Sequence, residues 1–186
     1  MKMKNNSGDY FTVLGEYSKK IKNRIWPMWL IQFEGTGSTI EVYKSNASRG
    51  KVKDPYKISF CGVGYIGEPS KPHYRKQAYR LWSNMLKRCY DEKYKSGYYG
   101  RGYSVCERWK CFANFLEDLP HLDNFDQWLR GFNDLYPSYN LDKDLRVKGN
   151  KVYCKECCSF VLESINKSEG AKNGKPYTKN KRVVQE

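Results

Sequence analysis

Hydrophobic and polar residues alternate along the first third of the chain, from Tyr10 to about Tyr56. Alternation with a period of two is typical of strands that bury one face. It is interrupted at residues 35–37, 48–50 and 54–55, where Gly, Ser and an Asp-Pro pair favour turns. The pattern therefore predicts a small antiparallel sheet or barrel.

The spacing of the apolar residues changes to that of helices after Pro72. A first helix is predicted from about Arg75 to Tyr90, with a buried stripe of Leu81, Trp82, Met85, Leu86 and Cys89. A second helix is indicated by Val105, Trp109, Phe112, Leu116 and Leu119. A third, short helix is indicated by Phe125, Trp128, Leu129 and Phe132, with Asp123 or Asn124 as its N-cap.

The C-terminal part of the chain returns to a strand pattern. Leu141 to Tyr153 predicts a hairpin that turns at residues 148–150, and a short helix or extended segment follows from Phe160 to about Ser168. The predicted fold class is α+β, with a small N-terminal antiparallel β module followed by a helical and β-hairpin region. The predicted organisation is a β module at 1–60, a Gly- and Pro-rich linker at 61–74, a helical and hairpin domain at 75–168 and a basic flexible tail at 169–186.

The chain carries a strong positive charge. Its 186 residues include 34 Lys and Arg against 20 Asp and Glu, which gives a formal net charge of +14. Basic residues outnumber acidic ones in every part of the chain except residues 121–140. A field of this sign attracts polyanions and works against acidic substrates. The charge therefore favours nucleic acid as the partner.

No segment has the pattern of a membrane span or an export signal. The first residues are polar, and the longest largely apolar run, Ile25 to Ile31, is far shorter than the roughly 20 residues that a spanning helix needs. We therefore expect no membrane association and a cytoplasmic location.

Basic and aromatic residues are interleaved on the predicted first helix and in the loop that follows it. Lys and Arg on a helix face can reach successive phosphates, and glycines in a loop let backbone amides approach them. A generic solvated surface is the alternative, and the net charge favours phosphate contact over it. The candidate nucleic-acid-binding residues are Arg75, Lys76, Arg80, Lys87, Arg88 and Arg101.

Four short motifs resemble those of a known family. They are W-x-x-M-x-x-R-C from Trp82 to Cys89, G-R-G at residues 100–102, V-C-x-x-W from Val105 to Trp109, and L-D-x-D from Leu141 to Asp144. In this order they resemble the phage-encoded HNH-like endonucleases, over about residues 75–168. The N-terminal 60 residues are similar to an accessory module found ahead of such regions in phage proteins. The resemblance implies a protein that acts on DNA in an infected bacterial cell.

The resemblance also implies one divalent metal, held by a hairpin and a helix, and a histidine that deprotonates the attacking water. The chain contains only His73 and His121, and neither lies in the predicted hairpin. Lys143 occupies the approximate position of this base. A lysine acts as a base only where its surroundings favour the neutral amine, whereas flanking carboxylates favour the ammonium ion.

Asp142 and Asp144 flank this lysine on the predicted strand. Alternation would place both carboxylates on one face, where they would hold Mg²⁺ with Asn166 as a third ligand. The resemblance thus assigns the catalytic site to Asp142, Lys143, Asp144 and Asn166. The other interpretation is that this face is exposed to solvent and that its carboxylates bind no metal.

Several functional hypotheses follow. In the first, the protein binds the DNA backbone, and metal-dependent cleavage is in doubt because the histidine base is missing. In the second, it is a phage protein that binds and modulates a host protein through residues 123–134 and its aromatic surface, without catalysis. An RNA-binding protein would use the same charge together with stacking on single-stranded bases.

The seven cysteines allow two interpretations. Their odd number and the length of the chain favour free thiols or a metal site over disulfides. Cys154 and Cys157 have a C-x-x-C spacing that suits Zn²⁺, with two further ligands drawn from Cys89, Cys106, Cys111 and Cys158. Buried thiols are the alternative, because Cys89 and Cys106 lie on the apolar stripes of the predicted helices.

Overall fold

The computed structural model describes residues 1–94, 99–132 and 135–165. Backbone contacts divide these residues into two compact units. Unit 1 comprises Met1–Pro69 with Cys111–Ala113, and unit 2 comprises Ser70–Lys110 with the described residues from Asn114 onward. The division at Pro69 and Ser70 falls inside the segment 61–74 that the sequence analysis assigned to a linker. The predicted tail at 169–186 lies outside the described residues.

Unit 1 contains a four-stranded antiparallel sheet whose strands follow the order of the sequence. The strands are β1 (Lys2–Lys4), β2 (Tyr10–Ile21), β3 (Arg24–Phe33) and β4 (Thr39–Tyr43), followed by the short helix α1 (Lys44–Ser48). The core comprises Phe11, Trp29, Ile31, Phe33, Ala47 and Val52. The predicted α+β class and N-terminal antiparallel sheet are therefore confirmed, because the alternating apolar residues bury one face of this sheet.

Strands β2 and β3 extend beyond their neighbours in the sheet. Strand β1 pairs with residues 10–12 of β2, and β4 pairs with residues 28–32 of β3. Among the described strands, residues 18–21 and 24–27 pair only with each other. Residues 18–27 therefore form a two-stranded antiparallel ribbon that projects past the four-stranded part of the sheet.

Residues 60–67, most of which were predicted as part of a linker, belong to unit 1 and make specific backbone contacts within it. Phe60 and Gly64 form an antiparallel bridge, and Tyr65 forms a parallel bridge with Cys111. Gly67 has a φ of +65°, and a Cβ atom at this position would lie 2.7 Å from the Sγ of Cys111. The glycine content that predicted a linker here reflects a left-handed turn and a close approach, both of which need glycine.

Unit 2 begins with the long helix α2 (Arg75–Tyr90), which has the predicted bounds. Its buried face includes Trp82, Met85, Leu86 and Cys89, as the apolar spacing indicated, whereas Leu81 is half-buried.

Across residues 1–94, 99–132 and 135–165, no helix is long and apolar enough to cross a membrane.

The predicted second helix is interrupted. The segment instead forms the strand β5 (Ser104–Val105) and two short helices, α3 (Glu107–Lys110) and α4 (Phe112–Asp118). Ser104 and Val105 pair with a later strand at residues 152–153, and the backbone N–H of Phe112 donates to the carbonyl of Tyr65. Apolar spacing predicted one helix here because the strand and both short helices bury their large residues. The helix is interrupted because the backbone of this segment forms hydrogen bonds with distant segments.

The third predicted helix is present as α5 (Phe125–Arg130), preceded by Asn124. Asn124 has a φ of 62° and makes no capping hydrogen bond with its side chain. Its amide nitrogen donates to the carbonyl of Phe160 at 2.8 Å instead. This asparagine therefore ties the start of α5 to a distant strand.

The predicted hairpin from Leu141 to Tyr153 is wrong in its pairing. Three strands form in this region: β6 (Tyr139–Asp142), β7 (Val152–Tyr153) and β8 (Ser159–Leu162). Strand β6 pairs antiparallel with β8, and β7 pairs in parallel with β5. This register places Leu141 beside Phe160, both of them buried, which a hairpin between neighbouring strands would not achieve.

Candidate nucleic-acid interface

Helix α2 carries a basic stripe on the side opposite its buried residues. Lys76, Arg80 and Lys87 follow one another at intervals of four and seven residues, which places them on one helix face. Lys76 and Arg80 are exposed and Lys87 is half-buried. We call these three residues the α2 stripe; at 1.5 Å per residue it is about 16 Å long.

The two other basic candidates on α2 lie beside the stripe. Arg75 is exposed in the first turn of the helix. Arg88 is half-buried near the end, where its Nε donates to the carbonyl of Asn84 at 3.3 Å and its guanidinium carbon lies 5.9 Å from the ring centre of Tyr153. Arg88 therefore contributes to packing as well as to the charge of this face.

The last candidate, Arg101, lies in a loop that glycine makes possible. Gly100 and Gly102 have φ values of +72° and +75°, in the left-handed region that other residues avoid. The Arg101 side chain is exposed, and its backbone carbonyl accepts a hydrogen bond from the Lys151 amine at 3.2 Å. The Lys151 amine, from a distant part of the chain, is thus held at the loop that carries Arg101.

Two tyrosine rings join Lys143, Lys151 and Arg88 into one cluster. The Lys143 amine lies 4.4 Å from the ring centre of Tyr103 and 5.7 Å from that of Tyr153. Lys151 lies 5.8 Å from the Tyr103 ring, and Arg88 approaches the Tyr153 ring. Cations at these distances are attracted to the electron-rich faces of aromatic rings.

Strand pairing and one hydroxyl group hold this cluster together. Tyr153 pairs with Val105 in the parallel β5–β7 ladder. The hydroxyl of Tyr90, at the end of α2, accepts from the backbone N–H of Val105 at 2.9 Å. The end of the basic helix is therefore fixed beside the loop that carries Arg101.

Lys143, assigned by resemblance to the position of the base, is buried. Its side chain is 2% exposed and pairs with the carboxylate of Asp144. An amine enclosed by two tyrosine rings and an ion pair is poorly placed to deprotonate a water beside an exposed phosphate. Its contacts with both tyrosine rings instead indicate a structural role within this cluster.

The Asp142 carboxylate forms hydrogen bonds with the backbone of the residues that follow it. Its Oδ1 accepts hydrogen bonds from the N–H groups of Asp144 and Leu145, at 2.8 and 2.7 Å. This local pattern stabilises the turn that follows β6. Strand β6 ends at Asp142, so the expectation that Asp142 and Asp144 share one strand face is wrong.

The turn after β6 is closed at its other end by Asn150. Its side-chain amide donates to the carbonyls of Lys143 at 3.0 Å and Val152 at 2.7 Å. The contacts of Asp142 and Asn150 explain why the segment between β6 and β7 is a loop and not a hairpin arm. The proposed third Mg²⁺ ligand, Asn166, lies outside the described residues.

We predict that Asp142→Ala destabilises unit 2 by about 0.5–1.5 kcal/mol, because the turn loses two hydrogen bonds from backbone donors that are only partly shielded from water. Asp142→Asn keeps an oxygen in the same place and should cost much less. Urea unfolding of both variants at pH 7 measures the difference. Equal stability of the alanine and asparagine variants would show that the turn does not depend on this acceptor.

The cysteines proposed as zinc ligands lie close to one another at the turn after β7. Burial, followed by a hydrogen bond between the two thiols, raises the pKa of Cys154 to about 12. Burial also raises the pKa of Cys158, the next thiol along. Within the described ranges, no group of three or more His, Cys, Asp or Glu side chains is arranged to hold a metal ion. The zinc site at Cys154 and Cys157, and likewise the Mg²⁺ site, stays a prediction.

Sequence reasoning missed several residues of this region. Tyr103, Tyr153 and Lys151 were not among the candidate site residues, although Tyr103 directly follows the G-R-G motif. The parallel ladder that joins them pairs residue 104 with residue 152, and no local pattern reports such a contact. Comparison of the chain with protein-family models, curated proteins and solved structures finds no match.

Proposed function

We propose that this protein binds double-stranded DNA through its sugar–phosphate backbone, using the α2 stripe, the loop that carries Arg101, and Lys151, whose amine bonds to that loop. The observation that supports this most is the pair of rings, Tyr103 and Tyr153, which Arg88 from the end of the basic helix and Lys151 from beside the Arg101 loop both approach. Exposed cations held in fixed positions contact phosphates without reading sequence. Binding with little sequence preference is the expected behaviour.

DNA binding has more support than DNA cleavage. Asp142 is engaged by the backbone, and Lys143 is buried and paired with Asp144, so three of the four residues assigned to catalysis have structural partners. Metal-dependent cleavage of the HNH-like kind remains part of the hypothesis through the resemblance alone. A supercoiled plasmid incubated with Mg²⁺ or Mn²⁺, against EDTA, measures it directly.

The alternative of a host-protein partner has less support from the described residues. It relied on the acidic segment 123–134, of which residues 133 and 134 lie outside the described ranges. Asp123 at its start pairs with Arg146. Part of the negative charge of this segment is therefore neutralised within the protein.

A salt titration tests the proposed function. The affinity for a 20-base-pair duplex should fall by roughly 10³ to 10⁵ between 50 and 200 mM salt if six to ten phosphates are contacted. Fluorescence anisotropy of a labelled duplex measures this. No binding at 50 mM salt, or an affinity independent of salt, would remove DNA as the partner.

Arg101 and Arg88 should behave differently when changed to alanine. Arg101→Ala should lower the salt slope of DNA binding by about one and leave the melting temperature unchanged, because the side chain is exposed. Arg88→Ala should also lower the melting temperature, since its guanidinium packs near Tyr153. Anisotropy and thermal melting of both variants check this, and equal melting temperatures would contradict the packing role.

A further inference from the structure

The ribbon at residues 18–27 of unit 1 is exposed and strongly basic. Four of its ten residues are Lys or Arg and none is Asp or Glu. Lys19 pairs with Glu41, whereas Lys20, Lys22 and Arg24 have no carboxylate partner among the described residues. Three cations are therefore concentrated at the free end of the ribbon, where β2 turns into β3.

The ribbon also exposes apolar side chains that a folded sheet would be expected to cover. Ile25 is 72% exposed and Trp26 is 37% exposed. The register places Ile25 opposite Lys20 and Trp26 opposite Lys19, so each face of the ribbon combines an apolar and a basic side chain. A surface with both kinds of contact suits a partner that presents phosphates beside apolar groups.

The dimensions of the ribbon match one groove of B-form DNA. Four residue pairs beyond the sheet, at about 3.4 Å each, give a projection of about 14 Å, and two paired strands lie about 4.8 Å apart. The major groove is about 12 Å wide and 8.5 Å deep and admits a two-stranded ribbon. It presents thymine methyl groups to apolar side chains and is bordered by phosphates.

We propose that the ribbon inserts into the major groove of double-stranded DNA, with Lys20, Lys22 and Arg24 at the phosphates and Ile25 toward the base edges. This inference rests on the proposed function, DNA binding, and adds a second contact surface, in unit 1. The major groove of A-form RNA is deep and too narrow for side chains to read. An RNA duplex should therefore not engage the ribbon.

The test compares two variants of the full chain with equal loss of charge. The ribbon variant is Lys20→Gln/Lys22→Gln/Arg24→Gln. The matched control is Arg49→Gln/Lys51→Gln/Lys53→Gln. All six residues are exposed. The control residues lie at the other end of the sheet, where Asn6 donates its backbone N–H to Gly50 and Asn5 donates to the carbonyl of Val52.

The ribbon variant should bind a 20-base-pair DNA duplex at least about tenfold more weakly than the wild type, with a salt slope lower by about two to three. The control should stay within about threefold of the wild type. Dimethyl sulfate methylates guanine N7 in the major groove and adenine N3 in the minor groove. Wild type and control should protect N7, and the ribbon variant should not.

Each outcome supports or overturns the proposal. If wild type binds DNA but the two variants behave alike, the ribbon proposal is overturned and the proposed function stands; its lysines then serve only to discourage strand pairing at an exposed edge. If the wild type does not bind DNA, the ribbon proposal and the proposed function are both overturned. Ribbon-dependent binding of an RNA duplex would overturn groove insertion. Thermal melting confirms the folding of each variant, and Lys22→Gln/Arg24→Gln at the turn replaces the triple variant if that one unfolds.

Discussion

Asp118→Ala should destabilise unit 2 by about 2–3 kcal/mol, because the buried Trp109 indole N–H loses its acceptor and the half-exposed Arg108 loses a charge-assisted hydrogen bond. The Asp118 side chain is 3% exposed, and its carboxylate accepts hydrogen bonds from three residues. Arg108 donates at 2.7 and 3.1 Å, the Trp109 indole at 2.9 Å and the Lys155 amine at 3.3 Å. The carboxylate thus joins α3, α4 and the turn after β7.

Glu117→Ala is the matched control for this change. Glu117 also pairs with Arg108, but its side chain is 68% exposed. An exposed pair contributes at most about 1 kcal/mol. Urea unfolding at pH 7 should therefore show that Asp118→Ala is less stable than Glu117→Ala by more than about 1 kcal/mol. Equal stabilities would show that Asp118 is not a structural centre of the unit.

The same carboxylate should make stability depend on acid pH. Burial alone would raise the pKa of Asp118, but the hydrogen bonds from Arg108 and Trp109 and the charge of Arg108 outweigh it and hold the pKa below its usual range. A lowered pKa stabilises the fold fully above the unfolded value of about 3.9, and this stabilisation is lost as the pH falls through the folded value. Asp118→Asn should flatten this part of the pH profile of unfolding.

The second large effect concerns the α2 stripe. We expect Lys76→Gln/Arg80→Gln/Lys87→Gln to weaken DNA binding by roughly 10- to 100-fold at 50 mM salt and to lower the salt slope by about two to three, since each phosphate that is no longer neutralised lowers it by about one. Glutamine is a good helix former, so α2 should stay folded. Fluorescence anisotropy over a range of salt concentrations measures both quantities.

A charge-retaining variant at the same positions gives the control. Lys76→Arg/Arg80→Lys/Lys87→Arg preserves all three charges and should bind within about threefold of the wild type, because phosphate contacts depend mainly on charge. Loss of binding in this control as well would mean that side-chain shape at these positions matters more than charge. Unchanged binding of the glutamine variant would place the DNA elsewhere on the protein.

Local patterns in the sequence were sufficient to place several elements of this fold. The apolar spacing gave the bounds of α2, and the alternation from Tyr10 onward gave an antiparallel sheet at the N-terminus. Such patterns work because each element buries one face, and its period appears directly in the residue order. The net charge of +14 and the clustering of basic residues on α2 are likewise properties of the sequence alone.

Contacts between distant residues decided the rest. No local pattern shows that β6 pairs with β8, that Lys143 is buried between Tyr103 and Tyr153, or that Asp118 receives three donors. A charged residue is expected at the surface unless partners compensate its burial, and those partners come from segments that only tertiary packing brings together. The sequence by itself thus determined the class of the fold, the position of its main helix and its charge, while the tertiary structure decided which charged residues support the fold and which remain exposed to a partner.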